Sequence, residues 1–210
     1  MTSVLSRTYG DSCAVARALD VVGERWALLV VRELLFGPRR FTDLQAGVAG
    51  ARPNVLSQRL RELEAAELVQ RRRLGPPARA WVYELTARGR SLEPLLLQLG
   101  QWGRLLPAGG KGYSVDSLML ALKNHFEPAR WGAGATTFHI VVHDEPFTVV
   151  ADRMGLAVSR GEPYVADLTV YTDVETLTAL VIDGRLPRQS GLLEIAGDTA
   201  TFGRLLDALL

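Results

Sequence analysis

The chain has 210 residues, 48% of them apolar, and a formal net charge of +1. Its length suits two modest domains, and its single cysteine excludes an intramolecular disulfide. No apolar run reaches the length of a membrane span and no signal peptide is recognisable, so we expect a cytoplasmic protein without a membrane partner. The charge is uneven: residues 1–106 hold 16 Arg against 10 Asp or Glu, a net of +6, whereas residues 107–210 hold 8 cations against 13 anions, a net of −5.

Apolar spacing predicts three helices before residue 50. The first covers Ser12 to Val22 and is interrupted by Gly23. The second, from Trp26 to Leu35, is apolar on two sides, so we expect it to be sandwiched between other elements. A short third helix starts at Phe41, with Thr42 as its N-cap.

The segment from Arg52 to Glu64 has the features of a helix that reads DNA. Pro53 suits a first helical turn, and Leu56, Leu60 and Leu63 recur at the spacing of one buried face. The opposite face carries polar side chains that are able to contact base edges in a major groove, namely Asn54, Ser57, Gln58 and Arg61, with Arg52 at the helix entrance. Asn and Gln suit adenine, and Arg suits guanine. Taken alone, the segment fits an ordinary surface helix about as well.

A basic hairpin follows this candidate recognition helix. Leu68 to Arg73 predicts a strand, residues 75–77 a turn, and Trp81 to Leu85 a return strand. A basic ribbon in this place is typical of a wing, whose arginines would contact phosphates or a minor groove: Arg71, Arg72, Arg73 and Arg79. The alternative is a surface hairpin with solvated arginines.

A long helix is predicted from Ala87 to Leu106, with Thr86 as its cap. Its apolar stripe is too broad for a small winged helix to bury alone. We therefore expect the stripe to cover the same helix of a second copy, through Leu92, Leu95, Leu99 and Trp102. The alternative is that the stripe packs on the second domain of its own chain.

Residues 107–112 predict a linker between a domain at 1–106 and a domain at 113–210. The second domain begins with a helix from Ser117 to Phe126. Alternating or short apolar segments then predict strands at 138–142, 147–152, 156–159, 167–171 and 192–195. Helices are predicted at 174–182 and 199–210. This order predicts an α+β domain with a mostly antiparallel sheet and helices on one face.

The first half resembles the HxlR-type branch of the MarR-like winged-helix regulators. The residues that carry the resemblance lie at 13–15, 23–26, 32–34, 37–41, 56–63 and 83–89. It implies an α+β, mostly α, winged helix-turn-helix in a homodimeric bacterial transcription factor. It also implies that Cys13, near the first helix start, is a candidate sensor of oxidants, although a small apolar filler is the commoner role of a cysteine. One departure is Glu67, where family members usually end the recognition helix with Gly.

The second half resembles the sterol-carrier-protein-like domain. The match is clear over 166–210, through residues 166–170, 183–185 and 191–198, and weak over 113–165. It implies a sheet-and-helix fold with an apolar cavity for a lipid-like or other small ligand. The candidate lining residues are Phe138, Ile140, Val142, Tyr171, Phe202 and Leu206. The same apolar residues could instead form an ordinary core.

Motifs of catalysis are not found in the sequence. It lacks a nucleophile elbow, a phosphate-binding glycine loop and a C-x-x-C pair, so we predict a protein that is not an enzyme and uses no cofactor or metal. His139 and His143 on one strand would lie about 13 Å apart, too far to share a metal ion. The sequence predicts a homodimeric regulator of operator DNA, controlled by a small apolar or weakly polar ligand. The alternatives are a ligand-free dimerisation scaffold in the second half, or a small-molecule carrier with a vestigial winged helix.

Overall fold

The computed structural model describes residues 8–107, 109–110, 112–132, 134–185 and 193–209. The chain divides into two compact units, Met1–Leu96 and Leu97–Leu210. Across the described ranges, none of the helices combines the length and the apolar character that a membrane crossing requires.

The first unit is a helix-turn-helix followed by a hairpin. Its elements are, in chain order, α1 (Ala14–Val22), α2 (Ala27–Leu34), α3 (Phe41–Gly47), α4 (Pro53–Ala65), β1 (Val69–Arg73), β2 (Trp81–Leu85), α5 (Ala87–Arg90) and α6 (Glu93–Gly103), the last of which extends past the unit boundary. Helix α2 packs against α3, α4 and β2. The helix lies between these elements as predicted, although Leu29 is exposed.

The start of α3 differs from the prediction. Arg40, not Thr42, is the N-cap residue, and Thr42 lies inside the first turn. The carboxylate of Asp43 accepts a hydrogen bond of 3.1 Å from the backbone N–H of Arg40, which satisfies a donor that a helix start leaves open. The carboxylate of Asp43, at the third helical position, therefore caps this helix, and the hydroxyl of Thr42 does not.

Helix α4 has the predicted buried face and ends in a left-handed residue. Leu56, Leu60 and Leu63 are fully buried, and Pro53 is the first helical residue. At the C-terminus, the backbone N–H of Leu68 donates to Leu63 at 2.9 Å and that of Glu67 to Glu64 at 3.0 Å, which is a Schellman motif. Glu67 has φ of 57°, so a residue with a Cβ occupies the position that favours glycine.

Replacing Glu67 with glycine should therefore stabilise the protein. Removing the Cβ relieves the left-handed strain, and we expect the free energy of unfolding to rise by about 1 kcal/mol. Urea unfolding of the full chain followed by circular dichroism would measure it. The control is Glu64→Gly, which places glycine inside the helix and should lower the free energy by about 1 kcal/mol. A loss of stability in Glu67→Gly would show that the position carries no strain.

The hairpin of β1 and β2 has the predicted antiparallel pairing. Arg71 lies opposite Tyr83, and Arg73 lies opposite Trp81. Residue Arg39 adds a short bridge on the other side of β2, through two backbone hydrogen bonds with Tyr83 of 2.9 and 2.8 Å. The base of the hairpin is formed by the paired residues Val69 and Leu85, which are both buried, so the hairpin projects from a packed origin.

The long helix predicted from Ala87 to Leu106 is broken in two. Helix α5 is a single turn capped by the hydroxyl of Thr86, which accepts from the N–H of Gly89 at 3.0 Å, and α6 starts at Glu93. The break coincides with Pro94, which has no N–H and is tolerated in the first turn of a new helix. The cap was predicted correctly and the continuity of the helix was not.

The second unit is an α+β fold around one mixed sheet. Its elements are α7 (Val115–His125), α8 (Pro128–Trp131), β3 (Thr136–Val142), β4 (Glu145–Asp152), β5 (Gly155–Arg160), β6 (Leu168–Thr172), α9 (Val174–Val181), β7 (Leu193–Gly197) and α10 (Thr199–Leu209). The strand order is β5-β4-β3-β6-β7, with β3 and β6 parallel and the other neighbours antiparallel. The predicted strands and the mostly antiparallel character are confirmed, whereas α8 was not predicted.

The sheet has one buried face and one partly exposed face. Phe138, Ile140 and Val142 of β3 are buried, whereas the residues between them are not. Under the helices, the ring of Trp131 packs 5.8 Å from that of Phe126 and 5.9 Å from that of Phe138, measured between centroids. Aromatic side chains therefore fill the space between α8 and the sheet.

Candidate nucleic-acid interface

Helix α4 brings the predicted base-reading residues to one surface. Arg52, Asn54, Gln58 and Arg61 are exposed, and Ser57 is half-buried beside them. They share this face because the three buried leucines hold the opposite face against the rest of the unit. The spacing that predicted the helix therefore also sets which side chains point outwards.

Hydrogen bonds link the outward residues of α4 into a chain. A terminal nitrogen of Arg61 donates to Gln58 Oε1 at 2.7 Å, and Gln58 Nε2 donates to Glu62 Oε1 at 2.7 Å. Glu62 also pairs with Arg59, whose Nη1 lies 2.5 Å from Glu62 Oε2 and 3.6 Å from Glu24 Oε2. The sequence suggested four independent polar groups, but in the structure two of them are tied to each other and to an acid.

The consecutive arginines of β1 have different environments. The guanidinium of Arg71 lies over the ring of Trp81, 4.6 Å from its centroid, and 5.9 Å from that of Tyr83. Arg72 instead forms two hydrogen bonds with the Glu84 carboxylate, Nε to Oε1 at 3.0 Å and Nη2 to Oε2 at 2.9 Å. This bidentate pair lowers the pKa of Glu84 and raises that of Arg72. The charge of Arg72 is thus partly offset before any ligand binds.

Two further arginines complete the basic surface of the hairpin. Arg73 and Arg79 are exposed, and neither forms an ion pair within the ranges that the structure describes. Arg79 lies in the loop between the strands with φ of 38°. Together with Arg71, they are the hairpin cations most available to an anionic partner.

Sequence reasoning missed two groups on this hairpin. The large apolar side chain of Trp81 is 51% exposed. Its indole ring stacks against the guanidinium of Arg71. Glu84 neutralises Arg72 from the neighbouring strand. Both could have been found from the register, because an antiparallel pairing that starts at Val69 and Leu85 sets these side chains close to the arginines.

The predicted dimer residues lie along α6 and just before it. Leu95 and Leu99 are 45% and 44% exposed, and Trp102 is 59% exposed, whereas Leu92 is half-buried. Leu105 and Leu106, after the helix, are exposed as well. Large apolar side chains at helical spacing are therefore uncovered in the single chain, which is unusual unless a partner covers them.

The predicted pocket residues do not all lie together. Phe138, Ile140 and Val142 face the helices, where Phe202 is buried and Leu206 half-buried on α10. Tyr171 is 41% exposed and lies on the opposite face of the sheet, because it follows the buried Val170 by one residue. The structure therefore brings the apolar candidates to one face and places Tyr171 on the other. His143 lies outside β3, in the turn, with φ of 54°, so it does not share a strand face with His139.

Cys13 is the N-cap residue of α1 and is exposed. Its backbone N–H donates to Asp11 Oδ1 at 2.9 Å. The sulfur makes no regular capping hydrogen bond, but the backbone N–H groups of Ala16 and then Val15 favour the thiolate and lower the pKa of this thiol. The position of the cysteine at the start of a helix is therefore the predicted one.

The lowered pKa predicts the pH dependence of Cys13 alkylation. The thiolate is the reacting species, so a lower pKa shifts the rise in rate towards lower pH. We expect the rate of iodoacetamide labelling in the native protein to reach half its maximum at a lower pH than in the same chain unfolded in urea. Intact-mass spectrometry would follow the reaction, since there is one cysteine. Identical midpoints would show that the helix start does not act on the thiol.

Comparison with known proteins identifies the first half. The HxlR-like helix-turn-helix family is matched by residues 21–107. An HTH-type transcriptional regulator of Mycobacterium bovis is 43% identical over 97 residues, which are 46% of this chain and 60% of that protein. The HTH-type transcriptional regulator YvaP of Bacillus subtilis is 35% identical over 86 residues, which are 41% of this chain and 80% of YvaP.

Solved structures are similar over the same part. The reduced form of the transcriptional regulator YodB from B. subtilis is 27% identical with a TM-score of 0.41, covering 48% of this chain and 100% of that chain. The chain matches less than two thirds of the mycobacterial relative but most of YvaP at more than 30% identity. By its first half, this chain therefore belongs to the HxlR-like helix-turn-helix family.

Proposed function

We propose that the protein is a transcriptional regulator that binds operator DNA as a homodimer. The observation that carries the proposal is the arrangement of the first unit, in which the exposed polar face of α4 is followed by a hairpin with available cations at Arg71, Arg73 and Arg79. A recognition helix supplies base contacts and a basic wing supplies phosphate contacts. Membership of a family whose relatives are named transcriptional regulators supports the proposal.

The dimer would arise from the exposed apolar residues of α6. Covering Leu95, Leu99 and Trp102 with the same helix of a second copy removes apolar surface from water on both sides of a two-fold axis. Two copies of α4 would then enter successive major grooves about 34 Å apart. An operator with two related half-sites is the expected target.

Selection from a random DNA duplex library by the purified full chain tests this function. We expect enrichment of a motif with two half-sites, and anisotropy titrations should show affinity for it that falls steeply as salt rises. The control is Asn54→Ala with Arg61→Ala, which removes two outward groups of α4 while keeping its buried leucines. Enrichment of no motif by the parent protein would contradict the proposal.

Control by a ligand in the second unit is the further part of the proposal. The buried apolar face of Phe138, Ile140 and Val142 supports an apolar or weakly polar ligand rather than a phosphate. The rings of Trp131 and Phe126 occupy the space near α8, so a ligand there would have to displace them. A thermal-shift screen of lipids and aromatic metabolites on the full chain should reveal a ligand, since a concentration of a hundred times Kd stabilises by about 2.7 kcal/mol. No shift with any compound would favour the ligand-free scaffold.

A signal through Cys13 is a second candidate input. The thiol is exposed and its pKa is lowered, which are the properties of a cysteine that reacts with oxidants. If this thiol carries the signal, hydrogen peroxide should weaken DNA binding of the parent and leave Cys13→Ser unaffected. Equal sensitivity of the two proteins would exclude Cys13 as the sensor.

A further inference from the structure

The chain of hydrogen bonds on α4 indicates which residue reads a base. Gln58 is the middle member: its Oε1 accepts from Arg61, and its Nε2 donates to Glu62. A glutamine that reads adenine needs the same two atoms, because Oε1 accepts from N6 and Nε2 donates to N7. Because Oε1 has two lone pairs and Nε2 has two N–H groups, reading adenine would have to use the remaining lone pair and N–H in the orientation that the bonds to Arg61 and Glu62 already fix.

Arg61 keeps most of its donors. Arg61 donates a hydrogen bond to Gln58 through Nη2. Across the residues that the structure describes, its Nε and Nη1 donate to no protein group. A guanidinium has five N–H donors in a fixed plane, so one bond to Gln58 sets its orientation and leaves a pair of donors for a bidentate contact. Guanine presents the matching acceptors, O6 and N7, in the major groove.

The other end of the chain is anchored in the protein. Glu62 pairs with Arg59, a mostly buried side chain that also lies near Glu24 in the segment before α2. Two bonds from a packed arginine and a glutamine leave the Glu62 carboxylate little freedom. Arg59 therefore fixes Glu62, Glu62 fixes Gln58, and Gln58 orients Arg61 on the exposed side of the helix.

We propose that Arg61 reads a guanine in each half-site and that Gln58 and Glu62 are positioning residues for it, without a base of their own. The inference rests on the proposed function, since it assigns roles within the same DNA-binding surface. It replaces the expectation that Gln58 selects adenine. A bidentate arginine contact discriminates by about 5- to 100-fold between the right and wrong base.

Library selection with the full chain and four variants tests the assignment. The parent should enrich a motif with one guanine per half-site whose preference disappears in Arg61→Lys, because an ammonium cannot form the planar bidentate contact. In Gln58→Ala, we expect the preference at that same guanine to fall at least about fivefold, with no change at any adenine.

Glu62 provides the matched pair of variants. Glu62→Gln keeps an oxygen that accepts from Gln58 and should keep the guanine preference, whereas Glu62→Ala removes the acceptor and should weaken it. Both variants lose the charge that pairs with Arg59, so their difference reports the loss of the acceptor oxygen at position 62, which binds both Gln58 and Arg59. Thermal unfolding of each variant checks that they are folded to the same extent.

The outcomes separate the inference from the function on which it rests. Loss of preference at an adenine in Gln58→Ala, with the guanine unchanged, would show direct reading by Gln58 and overturn the inference. Equal guanine preference in Glu62→Ala and the parent would overturn the role of Glu62. If the parent enriches no motif at all, the proposed function fails and the inference fails with it.

Discussion

Replacing Leu99 with aspartate should yield a folded monomer whose DNA affinity is at least about 100-fold lower than that of the parent. Leu99 is exposed on α6 in the single chain, so the charge is harmless there, but in the proposed dimer it would be buried without a partner. A monomer binds one half-site at a time and loses the additional DNA affinity that a dimer has from binding two linked half-sites. Sedimentation velocity would report the assembly, and anisotropy the affinity.

The matched control for this prediction is Gln98→Asp. Gln98 is the neighbouring residue on α6, is exposed and is polar, so the substitution introduces the same charge outside the apolar stripe. We expect it to remain dimeric and to bind DNA nearly as the parent does. A Leu99→Asp protein that stays dimeric would place the interface elsewhere than α6.

The triple variant Arg71/Arg72/Arg73→Ala should bind every DNA sequence more weakly and with a shallower salt dependence. Each phosphate contact contributes about −0.9 to the slope of log affinity against log salt. Because Glu84 already offsets Arg72, we expect the slope to change by about two contacts rather than three. Titration between 50 and 200 mM salt, roughly the range over which such contacts are lost, would measure it.

The control for the triple variant removes three arginines from the second unit. Arg130, Arg153 and Arg185 are exposed, and their replacement by alanine changes the net charge equally. This control should leave the salt slope unchanged. If the wing variant retains the affinity and slope of the parent, the hairpin is not a wing and its arginines are solvated. Glu84→Gln should act in the opposite direction, because it releases Arg72 for a phosphate.

The first unit could be predicted closely because its helices have a regular apolar period. Leu56, Leu60 and Leu63 determine both the buried face of α4 and the face that points outwards. The cross-strand pair of Arg72 and Glu84 was missed, because it can be predicted only after the register of the hairpin has been assigned. Charge counting over the sequence therefore overstates how many wing cations are available.

The second unit shows a different limit of sequence reasoning. Alternation located the strands, but the parallel pairing of β3 with β6 depends on how the chain crosses the sheet, which local patterns do not encode. The position of Tyr171 on the exposed face could have been predicted from the sequence, because the neighbouring Val170 is buried and successive strand residues point to opposite faces. In the same unit, Arg160 forms ion pairs with both Asp116 and Glu145. This cluster joins residues up to 44 positions apart, so no local sequence pattern predicts it.

The position of α6 also affects where the two units of such a regulator could be joined to units of another protein. The boundary between the two compact units falls between Leu96 and Leu97, within the helix. A Cβ added at Gly100 would lie 2.4 Å from the side-chain nitrogen of Asn124 on α7, so the flexible amide of Asn124 would have to turn away. A chimera joined in the glycine-containing stretch at 107–112 would supply the second unit with a foreign helix at this contact. An exchange joined within α6, at the boundary of the two units, would instead keep Gly100 with Asn124 and leave this contact unchanged.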